Sequence, residues 1–389
     1  MISCMNIDAL AFAFLILVLS IFVYKKRHEI EVVRVLPPIM FFYMYRTKVG
    51  IDLMDVLAKR YNNVLKRISK LIVPIGFIGM AFVSVEMVRN LVMSLLHPQA
   101  ISGAALVLPI QAKGVFYVPF FYWIISILVV VVVHEFCHGL FSRVAKVPVL
   151  SSGFAFLSIL LPIVPAAFVE PNEKLLLRRS VREQLAVFAA GPVSNLVFGL
   201  LFMLVSLLLT HYIVSPMYLY DGTEVSSLQS GYAVYDSGIK PGEIILAIAG
   251  VPIKKVDDFK TAMDGKKPGD RVDVQTNKSV YNLELGANPT DAAKPYLGVI
   301  IMQKKSMINP SMIKDIVVWF DGLLFWIFVL SLGVGFFNLL PLGIVDGGRM
   351  FLSAANLVFS KDRATKIYHV TSACFLLVIV GSLVLNWVR

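Results

Sequence analysis

His134, Glu135 and His138 fall within the run SILVVVVVHEFCHGLFSR, residues 126–143. On a helix, positions i and i+4 share a face, so the two histidines can hold one metal ion between them. Glu135 borders that face and can reach a water held on the metal. Zinc in a catalytic site takes three protein ligands, leaves one position open, and lowers the pKa of bound water to about 7. The neighbouring carboxylate can accept the proton of that water and pass it to a leaving amine. This is the H-E-x-x-H pattern of metal-assisted peptide hydrolysis. The competing account is a chance match of paired structural side chains. It is disfavoured because the run is apolar, and ionisable groups inside an apolar span are rare and usually functional. Cys137 lies near the same face, but as a ligand it would be strained beside His138, and it reads as filler.

A third ligand is needed. His28, His97 and His211 fall at the ends of apolar runs, where a wet interfacial histidine is the simpler reading. His369 opens the last apolar run and stays a candidate. The better one is Asp346, in FFNLLPLGIVDGGRM at 336–350. Pro341 should end the preceding helix, and the glycines at 343, 347 and 348 keep the backbone loose, so Asp346 sits in the break. By topology it lies at the same depth as His134 and His138. Asp-Gly-Gly alone would be read as a turn.

The elements that must carry these residues are hydrophobic. Of the 389 residues, 58% are hydrophobic, and the mean hydropathy is +0.78. A soluble chain would be nearer half apolar, and here the apolar residues come in long blocks. The formal net charge of +11 would ordinarily suggest nucleic acid. These positive residues flank apolar runs instead, so they speak for orientation in a lipid bilayer and against nucleic-acid binding. Three cysteines, Cys4, Cys137 and Cys374, sit in apolar segments and imply no disulfide framework.

Spans are expected at about 7–24, 71–96, 117–141, 184–212, 316–340 and 367–387, each near the roughly 20 residues a helix needs to cross. The first has no positive residue before it and KKRHE after it, the reverse of a secretory signal, so it reads as uncleaved. Residues 25–70 are rich in Lys and Arg, whereas 97–116 holds only Lys113. The positive-inside rule puts the former in the cytoplasm and the HEFCH sequence near the cytoplasmic end of its span. Residues 153–169, GFAFLSILLPIVPAAFV, resemble a span but are broken by Pro162 and Pro165 and flanked by basic residues on both sides. They are expected to dip into the membrane or lie along it, beside a cavity. Residues 214–315 turn polar, with strand-length runs such as EIILAIAG and RVDVQT around a short helix, VDDFKTAM. They read as an aqueous α+β insert outside the membrane.

Taken together, HEFCHG, then AAGPVSN at 189–195, then NLLPLGIVDGG at 338–348 resemble the site-2 protease family of intramembrane zinc metalloproteases. Motif order and placement match as well as the motifs. The resemblance implies one zinc per chain on His134, His138 and Asp346, with Glu135 as the catalytic glutamate. It marks Asn195 and Asn338 as candidates for positioning substrate or stabilising the oxyanion; helix packing is the alternative for Asn195, with Gly191 and Ser194 allowing close approach. It places a membrane-associated β-hairpin at 153–169, whose edge could pair with an unwound substrate, or which only lines the cavity. The insert resembles a PDZ domain: SGIKPGEIILAIAGVPIKKVDDFKTAM matches its strand and helix portion. Tyr296, Leu297, Gly298 and Val299 stand at the peptide groove, although YAVYDSG replaces the usual alanine-rich lead-in. Such a domain can bind chain ends or act only as a size filter.

The implied fold is a multi-pass α-helical membrane protein of about six spans with that hairpin and a small α+β PDZ-like domain. Its parts are 1–116 (N-terminal spans and cytoplasmic loop), 117–213 (first part of the catalytic core), 214–315 (PDZ-like, extracytoplasmic), 316–358 (second part of the core) and 359–389 (C-terminal span). The implied activity is hydrolysis of transmembrane protein substrates, first shortened by another protease, in the cell membrane of a prokaryote. The rival is an inactive membrane-bound relative that holds clients through the PDZ-like part. A metal transporter would have no clear use for Glu135.

Overall fold

The computed structural model describes residues 7–36, 40–96, 103–159, 161–289 and 291–388. Cys4 and His97 lie outside them. In chain order the elements are α1 (Ile7–Lys25), β1 (Ile30–Leu36), β2 (Met40–Thr47), α2 (Ile51–Arg60), α3 (Asn62–Leu96), β3 (Leu106–Leu108), β4 (Val115–Tyr117) and α4 (Phe120–Val144). Then come β5 (Val149–Ile159), β6 (Leu161–Pro171), α5 (Glu173–Leu176) and α6 (Val181–Leu209). The insert supplies β7 (Tyr218–Leu228), β8 (Ile244–Ile248), β9 (Val251–Pro252), α7 (Val256–Met263), β10 (Arg271–Thr276), β11 (Val280–Glu284), β12 (Gly286–Ala287), β13 (Pro295–Tyr296) and β14 (Val299–Met307). The chain ends with α8 (Met312–Asn338), α9 (Asp346–Val358) and α10 (Lys361–Val388).

Among the described residues, six helices are long and apolar enough to cross a membrane: α1, α3, α4, the stretch Val181–Met217 that begins with α6, α8 and α10. The chain forms two compact units, one of Met1–Ser206 with Gly322–Arg389, the other of Leu207–Asp321.

In the first unit, the core joins α3, α4, α6 and α9. Met80 of α3, Phe141 of α4, Ala189 and Val193 of α6, the turn residue Leu340 and Met350 of α9 are all buried together. Away from this core, long helices keep apolar side chains exposed, such as Phe14, Ile78 and Leu377, as expected where lipid is the solvent. One polar contact stands out at the start of α4. Asp8 of α1 accepts the backbone N–H of Phe120 at 3.1 Å and the hydroxyl of Tyr117. It thereby satisfies an N–H that the first turn of α4 leaves unpaired, from another helix.

The residues read as a cytoplasmic loop hold two strands that the sequence did not announce. β1 and β2 join β5 and β6 in one antiparallel sheet of order β1-β2-β5-β6. Tyr43 lies opposite Phe156, which in turn lies opposite Pro165. Phe22 of α1 meets Tyr45 and Phe156 edge-on, at 5.6 and 5.8 Å between ring centres, so α1 is docked on the sheet. Of the segment 153–169, expected to dip or lie along the membrane, residues 153–159 and 161–169 fall within the strands β5 and β6. The amphipathic α2 packs on the end of α4, where Arg143 pairs with Asp55.

The second unit is a sheet of order β11-β10-β8-β7-β14, with β9 paired to β8 and a separate ribbon of β12 and β13. Val225, Ile245, Ile248, Val274 and Leu297 form its core. Glu243, only 2% exposed, is fully engaged there: it accepts the Thr276 hydroxyl at 2.8 Å, the Lys240 N–H at 3.1 Å and the Tyr281 hydroxyl at 3.4 Å. A buried carboxylate is tolerated because it is hydrogen-bonded on both oxygens. The unit opens and closes on adjacent residues, since Tyr218 is the strand partner of Met307.

Candidate metal centre

α4 presents His134 and His138 one helical turn apart. α6 faces them with Val187, Gly191 and Asn195, again at four-residue spacing. The Val187 carbonyl lies 2.7 Å from His138 Nδ1. A carbonyl only accepts, so Nδ1 carries the proton and Nε2 carries a lone pair. At Gly191 the two helices approach so closely that a methyl would run into His138 Nε2 and come within 2.7 Å of His134 Nε2. Gly191 is therefore required by the imidazoles themselves, beyond general helix packing.

Asn195, fully buried, places Nδ2 at 3.1 Å from His134 Nδ1, and its Oδ1 has no hydrogen-bond partner. Turning the amide about Cβ–Cγ presents Oδ1 to the imidazole and gives an Nδ1–H its acceptor. His134 then also aims an unprotonated Nε2 forward, as His138 does. Asn195 thus lies behind His134, where it can orient that ring and does not border the cavity described below. Asn338 does border it; its Nδ2 donates to the Val334 carbonyl at 3.0 Å.

Asp346 arrives from the far end of the chain. α8 stops at Asn338, the backbone turns through Pro341, and Asp346 is the first residue of α9 rather than a residue of the break itself. A carboxylate in a first turn is favoured by the helix dipole. Gly347 and Gly348 follow because a methyl at either would strike the carbonyls of Leu339, Leu340 and Leu342. The two glycines let α9 begin against that turn.

His134 Nε2, His138 Nε2 and Asp346 Oδ2 lie 3.1 Å from one another. With both rings neutral and protonated at Nδ1, these three atoms aim lone pairs at one point, as the ligands of a single cation do. Tetrahedral ligands at 2.0–2.1 Å from zinc stand about 3.3 Å apart, close to this spacing. Among the described residues, these three form the group of His, Cys, Asp or Glu able to hold a metal ion. His369 is not part of it; its ring lies 5.1 Å from that of Tyr368, tilted by 58°. Neither are Cys137, His28 or His211.

Glu135 turns to the other side of the ligand face. Its Oε2 accepts the backbone N–H of Val169, in β6, at 2.9 Å. The three candidate ligands and Glu135 open onto a cavity of about 1170 Å³ walled by Ala167–Asn172, Asn338 and Arg349. Its rim is charged. Arg46 pairs with Glu31 and with Glu170 at 3.2 Å, the Ser151 hydroxyl donates to Glu170 at 2.6 Å, and Arg349 pairs with Glu173 at 2.9 Å.

The groove residues named from the sequence lie in the second unit. Tyr296 belongs to the β12–β13 ribbon, Leu297 is buried in the sheet core, and Val299 opens the edge strand β14. Gly298 adopts φ +81°, and its carbonyl accepts the Gln229 N–H at 2.8 Å. Tyr232, from the unusual lead-in YAVYDSG, packs against Gly298, Gly286 and Tyr296.

The model of Peptidase family M50 matches residues 122–379, well over half of the chain. The chain belongs to peptidase family M50. It is also similar to an uncharacterized protein of Methanocaldococcus jannaschii, 24% identical over 332 residues, which are 84% of this chain and 80% of the other. Among solved structures it is similar to the crystal structure of the PDZ domain of the SdrC-like protein from Listeria monocytogenes. That likeness has 24% identity, a TM-score of 0.20, and covers 21% of this chain and 90% of that one. In this M50 chain two contributors had no side-chain signal in the sequence: the Val187 carbonyl behind His138 and the Val169 amide on Glu135.

Proposed function

We propose that this M50 peptidase is an intramembrane zinc metalloendopeptidase that cuts peptide bonds within or near transmembrane segments. The observation that carries the reading is the convergence of two histidine nitrogens and one carboxylate oxygen beside Glu135, at a cavity bordered by the outermost strand β6. His134, His138 and Asp346 would hold a zinc ion, which would supply Lewis-acid chemistry and make water acidic near pH 7. Glu135 takes the proton of the water as its oxygen adds to the scissile carbonyl. The C–N bond then breaks, and Glu135 delivers that proton to the leaving nitrogen. Asn338, which borders the cavity, is read as a donor to a substrate carbonyl.

A helical substrate hides its carbonyls in hydrogen bonds, so the segment must be extended before attack. β6 is the outer strand of its sheet and can receive such a segment by strand addition. Substrates are transmembrane proteins already shortened by another protease. The test is the purified full chain in lipid vesicles with a single-span peptide. Chelation should abolish cleavage, and stoichiometric zinc should restore it. Tight binding of the peptide with no cleavage in the zinc-loaded chain would instead favour a client-holding relative.

The second unit we read as a PDZ-like access filter with no part in bond cleavage. Since Tyr218 and Met307 are strand partners, a short linker can replace 219–306 without spreading the flanking chain. Cleavage of a small, pre-trimmed substrate should stay within about tenfold, roughly 1.4 kcal/mol of activation free energy. Discrimination between trimmed and full-length substrates should be lost. Complete inactivity in a folded, zinc-loaded deletion would refute the filter role.

A further inference from the structure

A cavity of about 390 Å³ lies at the end of α4 and shares no lining residue with the one at the candidate metal centre. Its polar walls are Asp55 and Lys59 of α2, Asn62 at the start of α3, Arg143 in the last turn of α4, and Lys146 just beyond it. Three of these side chains are cations and one is a carboxylate. Asp55 is taken up by Arg143. Lys59 and Lys146 make no ion pair among the described residues, so the pocket keeps an excess of positive charge. Arg179 adds a further guanidinium close by, donating to the Lys146 carbonyl at 2.8 Å.

The backbone at Lys146 is unusual for a lysine. Ala145 caps α4. Past it, the Val147 N–H donates to the Ser142 carbonyl at 2.8 Å and the Lys146 N–H to the Arg143 carbonyl at 2.9 Å. A helix that ends with this pair of bonds puts one residue in the left-handed region, and glycine is the usual occupant. Here the occupant is Lys146, at φ +58°. A residue with a Cβ is strained in that conformation, and such strain gathers where a side chain is needed. The positive-inside rule accounts for lysines and arginines at this end of the spans. It does not account for a lysine in a glycine's place on the wall of a concave pocket with two other cations.

The surroundings say which anion fits. The pocket lies at the ends of α3 and α4, two helices long and apolar enough to cross a membrane. Met54 and Ala58 bury one side of α2 against the protein, whereas Leu53 and Val56 stay exposed. A helix of this kind lies in the membrane interface with its apolar side chains among acyl chains. Val56 is three residues from Lys59 and so shares a face with it. A free phosphate has no use for apolar neighbours; a phospholipid uses both. We propose that the pocket holds the phosphate of an anionic phospholipid among Lys59, Arg143 and Lys146, with the acyl chains beside Leu53 and Val56. Its volume is in the range of small-molecule sites, about 300–1,000 Å³. The lipid fastens α2 to the helix that carries the candidate ligands: Met54 packs on Gly139, where a methyl would strike its Sδ and Cε, and Gly139 follows His138.

The test follows thermal unfolding of the purified full chain in a neutral detergent during titration with short-chain phosphatidylglycerol. The midpoint should rise with its concentration, as for any ligand that binds the native state. Short-chain phosphatidylcholine, which has no net charge, and inorganic phosphate should raise it far less. Affinity should fall roughly fivefold for each lysine removed, in Lys59→Gln and in Lys146→Gln. Lys146→Gly separates binding from folding. Relief of the left-handed strain should leave the lipid-free chain at least as stable as the wild type, while its response to phosphatidylglycerol weakens. A wild-type response in the chain carrying both Lys59→Gln and Lys146→Gly would overturn the site. Inorganic phosphate acting as strongly as phosphatidylglycerol would overturn the lipid assignment, and an unmoved midpoint in the wild type would overturn the proposal outright. No readout here uses cleavage, so its failure would leave the hydrolase reading standing.

Discussion

Glu135→Gln lowers the rate of cleavage by roughly 10²–10⁴-fold, the range of a lost general acid–base group, while zinc per chain stays at the wild-type level. The separation of the two readouts follows from the geometry. Glu135 contributes no atom to the cluster of His134, His138 and Asp346. Its contact to Val169 is made as an acceptor, and the glutamine amide oxygen can still accept there. The variant therefore keeps shape and packing and loses only the ability to take up a proton. Single-turnover rates on a single-span peptide and metal analysis of the same preparation decide it. A variant that cuts within about tenfold of the wild type would show that another base serves the site. Membranes of cells carrying the variant should also lack the membrane-protein fragments seen with the intact chain, which would point to natural substrates.

Asp346→Ala loses the metal and with it all cleavage. Partners that only orient a ligand typically cost 10–100-fold in metal affinity; removing a ligand atom should cost at least ~10²-fold. The fold should persist, because the exposed-end contribution of one acidic residue to a helix start is only about 0.3–1 kcal/mol. Gly347 and Gly348, which let α9 approach the turn at Leu339–Leu342, are untouched. Competition with a zinc indicator measures the affinity, and zinc-dependent stabilisation against heat measures it independently, since a ligand that binds only the native state raises stability with its concentration. Wild-type zinc content in Asp346→Ala would rule out this aspartate as the third ligand.

The long elements and the metal candidates were legible in the sequence for one physical reason. Lipid demands long uninterrupted apolar helices, so an ionisable residue within one is conspicuous. Asp346 needed more, namely the break at Pro341 and the matching depth of two spans. Its exact place, as the first residue of α9, was not readable, since Asp-Gly-Gly is equally a turn. The four-stranded sheet was missed in part for two reasons. Residues 153–169 are a short apolar run, for which periodicity does not separate a strand from a buried helix. β1 and β2 lie in a segment whose lysines and arginines dominated its reading as a loop, and the arginines proved compatible with a strand: Arg46 of β2 is neutralised by Glu31 and Glu170. Asn195 was visible as a polar residue in an apolar helix, but its partner was not. Only the facing of α4 and α6, both at four-residue spacing, shows that it meets His134.

His134 and Asp346 are 212 residues apart in the chain. At a synthesis rate of about 5–20 residues per second, His134 precedes Asp346 by roughly 10–40 s. For that interval the growing chain already holds the histidine pair and the glutamate, inserted among other nascent membrane proteins, and has no complete cage for an ion. Any product that stalls, or is truncated before residue 346, is harmless to its neighbours for the same reason. On the proposed reading, competence waits for Asp346, so the order of synthesis itself delays the hazard that a peptide-bond cutter would pose to the membrane it is built in.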